Sequence, residues 1–165
     1  MWYAILGAVL LAGDQILKYW VVTHLAVGES APFLPGFMQL TRLHNYGAAW
    51  SSFSGRTVLL VVFTAVLLAV VALLLLKKVV RHWTGVTACT LILSGGIGNI
   101  IDRIVHGYVV DMFDLQLFSY PVFNLADCCV VAGAILGGVY YLFLYDKYDK
   151  KKKESDHAHD PSDPS

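Results

Sequence analysis

Residues 57–76 form a run of twenty positions without a single charged side chain. An α-helix needs about 20 apolar residues to cross the hydrocarbon core of a bilayer, so this segment predicts a membrane span and argues against a soluble fold. The rest of the chain agrees: 57% of its 165 residues are hydrophobic and only 15% are charged. Segments 83–101 and 122–144 are further spans. The first carries the small residues Ser94, Gly95, Gly96 and Gly98, which permit close helix approach; Pro121 before the second suits a first helical turn. The fourth span, 2–22, is interrupted by Asp14 and Lys18, spaced i,i+4 with the acid first, the better order for a helical ion pair. No Lys or Arg precedes it and no clear cleavage site follows, so it is expected to be a retained span.

Orientation follows from the basic residues in the connections. Loop 77–82 carries Lys77, Lys78 and Arg81, and the C-terminus carries Lys147 and Lys150 to Lys153, whereas connections 24–56 and 102–121 hold only Arg42, Arg56 and Arg103. Both termini are therefore expected in the cytoplasm, with the two longer loops outside. Basic clusters beside apolar spans fit membrane flanks and exclude a nucleic-acid binder. One membrane domain over 1–148 and a disordered cytoplasmic tail over 149–165 complete the organisation. Cys89, Cys128 and Cys129 lie in apolar runs with no metal-binding spacing and are expected to be buried helix residues.

This topology sends the intramembrane polar residues to one leaflet. Asn99, Asp102 and Arg103 lie at the outer end of helix three, Asn124 and Asp127 at the start of helix four, Asp111 on the loop between, and Asp14 and Lys18 in the outward half of helix one. A carboxylate at membrane depth is costly and marks function. Asp111 and Asp127 are the candidates for an acid/base pair, in which one member keeps a proton at neutral pH and the other activates water; the pair titrates as a unit, which leaves the base unassigned. Asp14 with Lys18 is expected to be a structural ion pair, Asp102 a helix-end partner, and Arg103 a support pairing with Asp102, Asp14 or a phospholipid headgroup. The serines have no histidine base in any span. His106 offers no third ligand at a metal-site spacing beside Asp111 and Asp127, so neither metal nor cofactor is expected. A proton-coupled carrier and a non-catalytic scaffold are the competing classes; the first is disfavoured by the one-leaflet clustering and by the lack of an inverted repeat.

Five blocks in order, Asp14-Gln15-x-x-Lys18, Asn45-x-Gly47-Ala48-Ala49-Trp50, Gly95-Gly96-x-Gly98-Asn99-x-x-Asp102-Arg103, Val109-Val110-Asp111 and Phe123-Asn124-x-Ala126-Asp127, resemble the lipoprotein signal peptidase (signal peptidase II) family of bacteria. Trp50 stands where Phe is commoner, and Cys128 where a small hydroxyl residue is frequent. The resemblance implies an all-α four-helix membrane protein with a small outward-facing β-cradle. That cradle would involve roughly residues 33–50 plus a strand from the second outer loop; residues 38–43 alternate as a strand does, while Asp114 is expected at the loop surface. It implies an aspartic endopeptidase of the inner membrane that needs no cofactor. Such an enzyme cleaves prolipoprotein signal peptides on the amino side of a diacylglyceryl-modified cysteine at the outer leaflet. Its catalytic dyad would be Asp111 and Asp127, with Asp14, Lys18, Asn45, Asn99, Arg103 and Asn124 in supporting positions. Expected partners are these precursors and membrane lipids, and the expected state is a monomer.

Overall fold

The computed structural model describes residues 1–47 and 55–150. The block residues Ala48, Ala49 and Trp50, and the tail from residue 151, lie outside them. Four helices are long and apolar enough to cross a membrane: α1 (Trp2–His24), α2 (Thr57–Leu76), α3 (Trp83–His106) and α4 (Leu125–Phe143). A three-stranded antiparallel sheet accompanies them, in the order β1 (Ser30–Leu34), β2 (Met38–Asn45), β3 (Val109–Leu115). The sheet takes the chain out of the all-α class. A π-helical segment, Tyr145–Lys150, ends the described chain.

The helices differ in their surroundings as their sequences do. Only 6% of the apolar window of α2 is buried against protein, so its leucines and valines have lipid as their solvent, whereas 56% of that of α3 is buried. Helix α3 is the central element and packs against α1, α2 and α4. In lipid, helices gain no hydrophobic drive from meeting one another, and close van der Waals fit must supply it. Gly95 provides that fit: a Cβ there would lie 2.3 Å from the Ala126 carbonyl oxygen and 2.9 Å from Val130 Cγ2. Gly95→Ala is therefore expected to push α4 off α3 and cost about 1–3 kcal/mol, measured as a lower midpoint in detergent unfolding.

Helix α3 runs past its expected end at residue 101 to His106, where Gly107, at φ +81°, closes it. Asp102 and Arg103, expected at the outer end of this helix, lie within its last two turns and have partners inside the protein. Helix α4 starts at Leu125, three residues later than expected, and Pro121 is not in its first turn. The reason is a non-local pairing. Phe123 exchanges backbone hydrogen bonds with Phe113, accepting from it at 2.7 Å and donating at 3.1 Å. The chain stays extended until Asn124 caps the helix.

The sheet covers one end of the bundle. In β3, Val110 and Met112 point to a core shared with Val21 and Leu25 of α1, and Asp111, of opposite parity, points away from it. Strands β2 and β3 pair Asn45 with Val109, His44 with Val110 and Leu43 with Asp111, with an irregularity between Leu40 and Leu43. Arg42 ties this strand to the bundle by donating to the Val22 and Leu25 carbonyls at the end of α1. Asp114 is not loop surface. It lies half-buried in β3 and accepts from Gln39 Nε2 at 2.7 Å and Thr41 Oγ1 at 3.3 Å.

Candidate functional site

The polar residues of α1, α3, α4 and both long strands meet in one network. Its lower part is a buried charge cluster. Lys18 Nζ lies 2.9 Å from Asp14 Oδ2 and 2.9 Å from Asp102 Oδ2, and donates to Asn99 Oδ1 at 3.0 Å. All three charged groups are almost fully buried, at 1–3% exposure. The expected Asp14–Lys18 pair is present, but Asp102 is its second anion rather than a helix-end partner. Gln15 joins the cluster from α1, donating to Asp102 Oδ1 at 3.1 Å and to Asp14 Oδ2 at 3.2 Å.

Each acid also holds a backbone amide. Asp14 Oδ1 accepts from Ala126 N–H at 2.9 Å, so helix one supplies an acceptor to the first turn of α4, where unpaired N–H groups need one. Asp102 Oδ2 accepts from Val110 N–H at 3.1 Å, immediately before Asp111. The charge cluster thus locks the two segments that carry Asp127 and Asp111.

Above it the two candidate acids are tied through Asn124, which is fully buried. Its side-chain oxygen accepts from Asp127 N–H at 2.9 Å while the Asp127 carboxylate accepts from Asn124 N–H at 3.2 Å, a reciprocal capping box. The Asn124 amide then donates outward to Asp111 Oδ1 at 2.7 Å and to Asn99 Oδ1 at 3.2 Å. Asn45 Nδ2 reaches the other Asp111 oxygen at 2.9 Å, and Asn99 Nδ2 reaches Asp127 Oδ1 at 2.8 Å. Lys18 fixes the Asn99 amide: with its oxygen held by the ammonium, its NH₂ must face Asp127. Burial first, and then the neighbouring Asp127 charge, push the Asp111 carboxyl up to about 7.

Arg103 meets neither Asp102 nor Asp14 in a direct bond. Its guanidinium donates to the Gly47 carbonyl at 2.8 Å and to its own helix at Asn99 O, within electrostatic reach of Asp111 and Asp127. It therefore holds Gly47, two residues past the end of β2. His106 stacks on Tyr108. Gln15 and Gly47 stood in the matched sequence blocks without a role of their own; the structure gives Gln15 to the charge cluster and the Gly47 carbonyl to Arg103. Beside the acids lies a groove of about 370 Å³ lined by Leu115, Phe118, Phe123, Val131 and Ile135, into which Asp127 opens as the one charged residue among the described residues.

Four membrane-length helices with two carboxyls joined through one asparagine define a class, multi-pass membrane proteins with a candidate acid/base pair. Comparison with known proteins narrows the class. A family profile described as signal peptidase (SPase) II matches residues 6–143. A lipoprotein signal peptidase of Enterococcus faecalis is 38% identical over 151 residues, covering 92% of this chain and 93% of its own. One of Lactiplantibacillus plantarum is 40% identical over 136 residues, covering 82% and 91%. Among solved structures, a bacterial membrane enzyme determined in meso at 2.3 Å superposes with a TM-score of 0.80 at 30% identity, covering 91% of this chain and 92% of that one. The chain belongs to the signal peptidase II family.

Proposed function

We propose that this chain removes signal peptides from prolipoproteins, with Asp111 and Asp127 as the catalytic pair. The observation that carries the assignment is Asn124, whose side chain binds Asp111 while its backbone binds Asp127. That places two carboxyls at one spot, next to an apolar groove suited to a substrate that arrives from the membrane. The relatives' name, lipoprotein signal peptidase, supplies the substrate class, and the lipidated cysteine of such a precursor keeps the scissile bond near the bilayer surface.

The pair holds one proton. Its ionised member takes a proton from water as the oxygen attacks the scissile carbonyl, and its protonated member donates to the carbonyl oxygen. When the tetrahedral intermediate collapses, a proton passes to the leaving amine and the pair is restored. Asn45, Asn99 and Asn124 hold the carboxyls in place; Arg103 holds the Gly47 carbonyl and adds positive charge near both acids. Asp14 and Lys18 act through α4 and Asn99. The basic residues of loop 77–82 and of the C-terminus support an orientation with both chain ends on the cytoplasmic side of the inner membrane and the sheet and the acids toward the outer leaflet. The enzyme works as a monomer with membrane lipid and precursor as its partners.

The test is cleavage of a diacylglyceryl-cysteine precursor by the purified chain. Activity is expected to fall as pH rises through about 7, because Asp111 then loses the shared proton and both acids are ionised. A rate that keeps rising beyond pH 8 would count against the shared-proton scheme. A chelator is expected to leave the rate unchanged.

A further inference from the structure

The far end of the bundle carries another buried acid, which the peptidase chemistry does not use. Asp149, assigned to the tail by composition, is only 5% exposed. Its Oδ2 accepts from the backbone N–H groups of Arg81 at 2.9 Å and His82 at 3.1 Å, and from the Tyr140 hydroxyl. The His82 ring stacks on Tyr148, with centroids 4.6 Å apart. Beneath this clasp, Val80, Cys89 and Tyr140 form a core with Leu75, Leu144 and Tyr145. Loop 77–82 and segment 145–150, almost seventy residues apart in sequence, are thus one structural unit.

The clasp brings Lys147 to the basic loop 77–82. Lys77, Lys78 and Lys147 are exposed on this unit, with Arg81 half-exposed among them. Arg81 Nε donates to the Lys78 carbonyl at the end of α2. Asp146 is the exposed acid here, since Asp149 spends its charge inward on two amides and a phenol. Lys150 to Lys153 follow directly in the sequence. Burial alone would raise the Asp149 carboxyl, but the Tyr140 hydroxyl, both amides and the His82 ring outweigh it and hold the acid below the ordinary carboxylate range. The clasp therefore persists at neutral pH and is lost only as pH falls through that lowered value.

The depth of this surface is also defined. Helix α2 ends at Leu76, α3 begins at Trp83 and α4 ends at Phe143, and Trp83, Tyr141 and Tyr148 are exposed around them. Tryptophan and tyrosine at helix ends mark the headgroup level of a bilayer. Cations clustered at that level face lipid phosphates. We propose that this end of the bundle is a docking surface for anionic phospholipid headgroups, assembled by the Asp149 clasp from loop 77–82 and the C-terminal segment. The proposal is independent of the catalytic assignment at the opposite end.

The clasp makes a prediction opposite to charge counting. Asp149→Asn removes a negative charge, which by itself would strengthen binding of anionic lipid; release of the lysines from one another weakens it instead. The experiment is native mass spectrometry of the full chain in detergent, titrated with phosphatidylglycerol or phosphatidylcholine of matched acyl chains. The wild type is expected to retain phosphatidylglycerol about fivefold or more over phosphatidylcholine. The triple variant Lys77→Ser, Lys78→Ser, Lys147→Ser should lose most of that preference. Asp149→Asn and Tyr140→Phe should each reduce it with helical circular dichroism unchanged. Tyr140→Phe decides the matter if Asp149→Asn does not fold. Equal retention of the two lipids by the wild type overturns the surface, as does displacement of phosphatidylglycerol by an acidic peptide at equal concentration. A wild-type or stronger preference in the folded clasp variants overturns the role of Asp149.

Discussion

Asp111→Asn and Asp127→Asn are each expected to abolish precursor cleavage, by about 10³-fold or more, while the protein still folds and inserts. General acid–base catalysis contributes roughly 10²–10⁴-fold per positioned group, and here each member is needed in a complementary protonation state, so losing either removes both roles. Folding survives because two effects oppose. Asp111 is held near neutrality largely by burial, so a neutral amide relieves a desolvation cost. Against this, both its oxygens accept amide N–H bonds, from Asn45 and Asn124, and an Asn there would turn one acceptor into a donor facing a donor. That mismatch costs about 1–3 kcal/mol, similar in size to the relief. The measurement is turnover of a diacylglyceryl-cysteine precursor alongside thermal unfolding in detergent. Retained turnover in either variant would sink the dyad; a variant that fails to accumulate would point to a structural role.

The parts of the molecule that were legible in sequence are those where one residue's energy decides. A run such as 57–76 has no stable place but a membrane or a core, and Asp111 and Asp127 stood out because a charge in such surroundings is costly. Pairings between distant segments were not legible. The start of α4 depends on Phe123 joining Phe113, which no helical periodicity near residue 122 reports. Asp114 resembled loop surface because its partners, Gln39 and Thr41, lie on another strand. Asp102 and Asp149 were misjudged for a common reason. Each lies beside a helix end or a polar tail, where an acid is ordinarily solvated, and each is buried because its hydrogen bonds reach residues far away in sequence.

Lys18→Met is expected to destabilise the protein more than any other single change to the network. Its ammonium is the direct ion-pair partner of both Asp14 and Asp102, and methionine nearly matches its length without its charge. Removing one partner of a buried ion pair costs about 3–5 kcal/mol, because the remaining charge stays desolvated. Here two carboxylates are left facing one another, so the upper end of that range applies. The damage also reaches the site. Without the ammonium, Asn99 is no longer held with its NH₂ toward Asp127. Asp14 can no longer be relied on as the acceptor for Ala126 N–H, nor Asp102 for Val110 N–H. Cleavage should therefore fall in the fraction that remains folded. The stability deficit should shrink when Asp102→Asn is added, because one of the two buried carboxylates left without the ammonium is then removed. Midpoints of detergent unfolding for the wild type, Lys18→Met and the double variant check this. A small deficit that Asp102→Asn leaves unchanged would mean that Lys18 packs by its methylene chain alone.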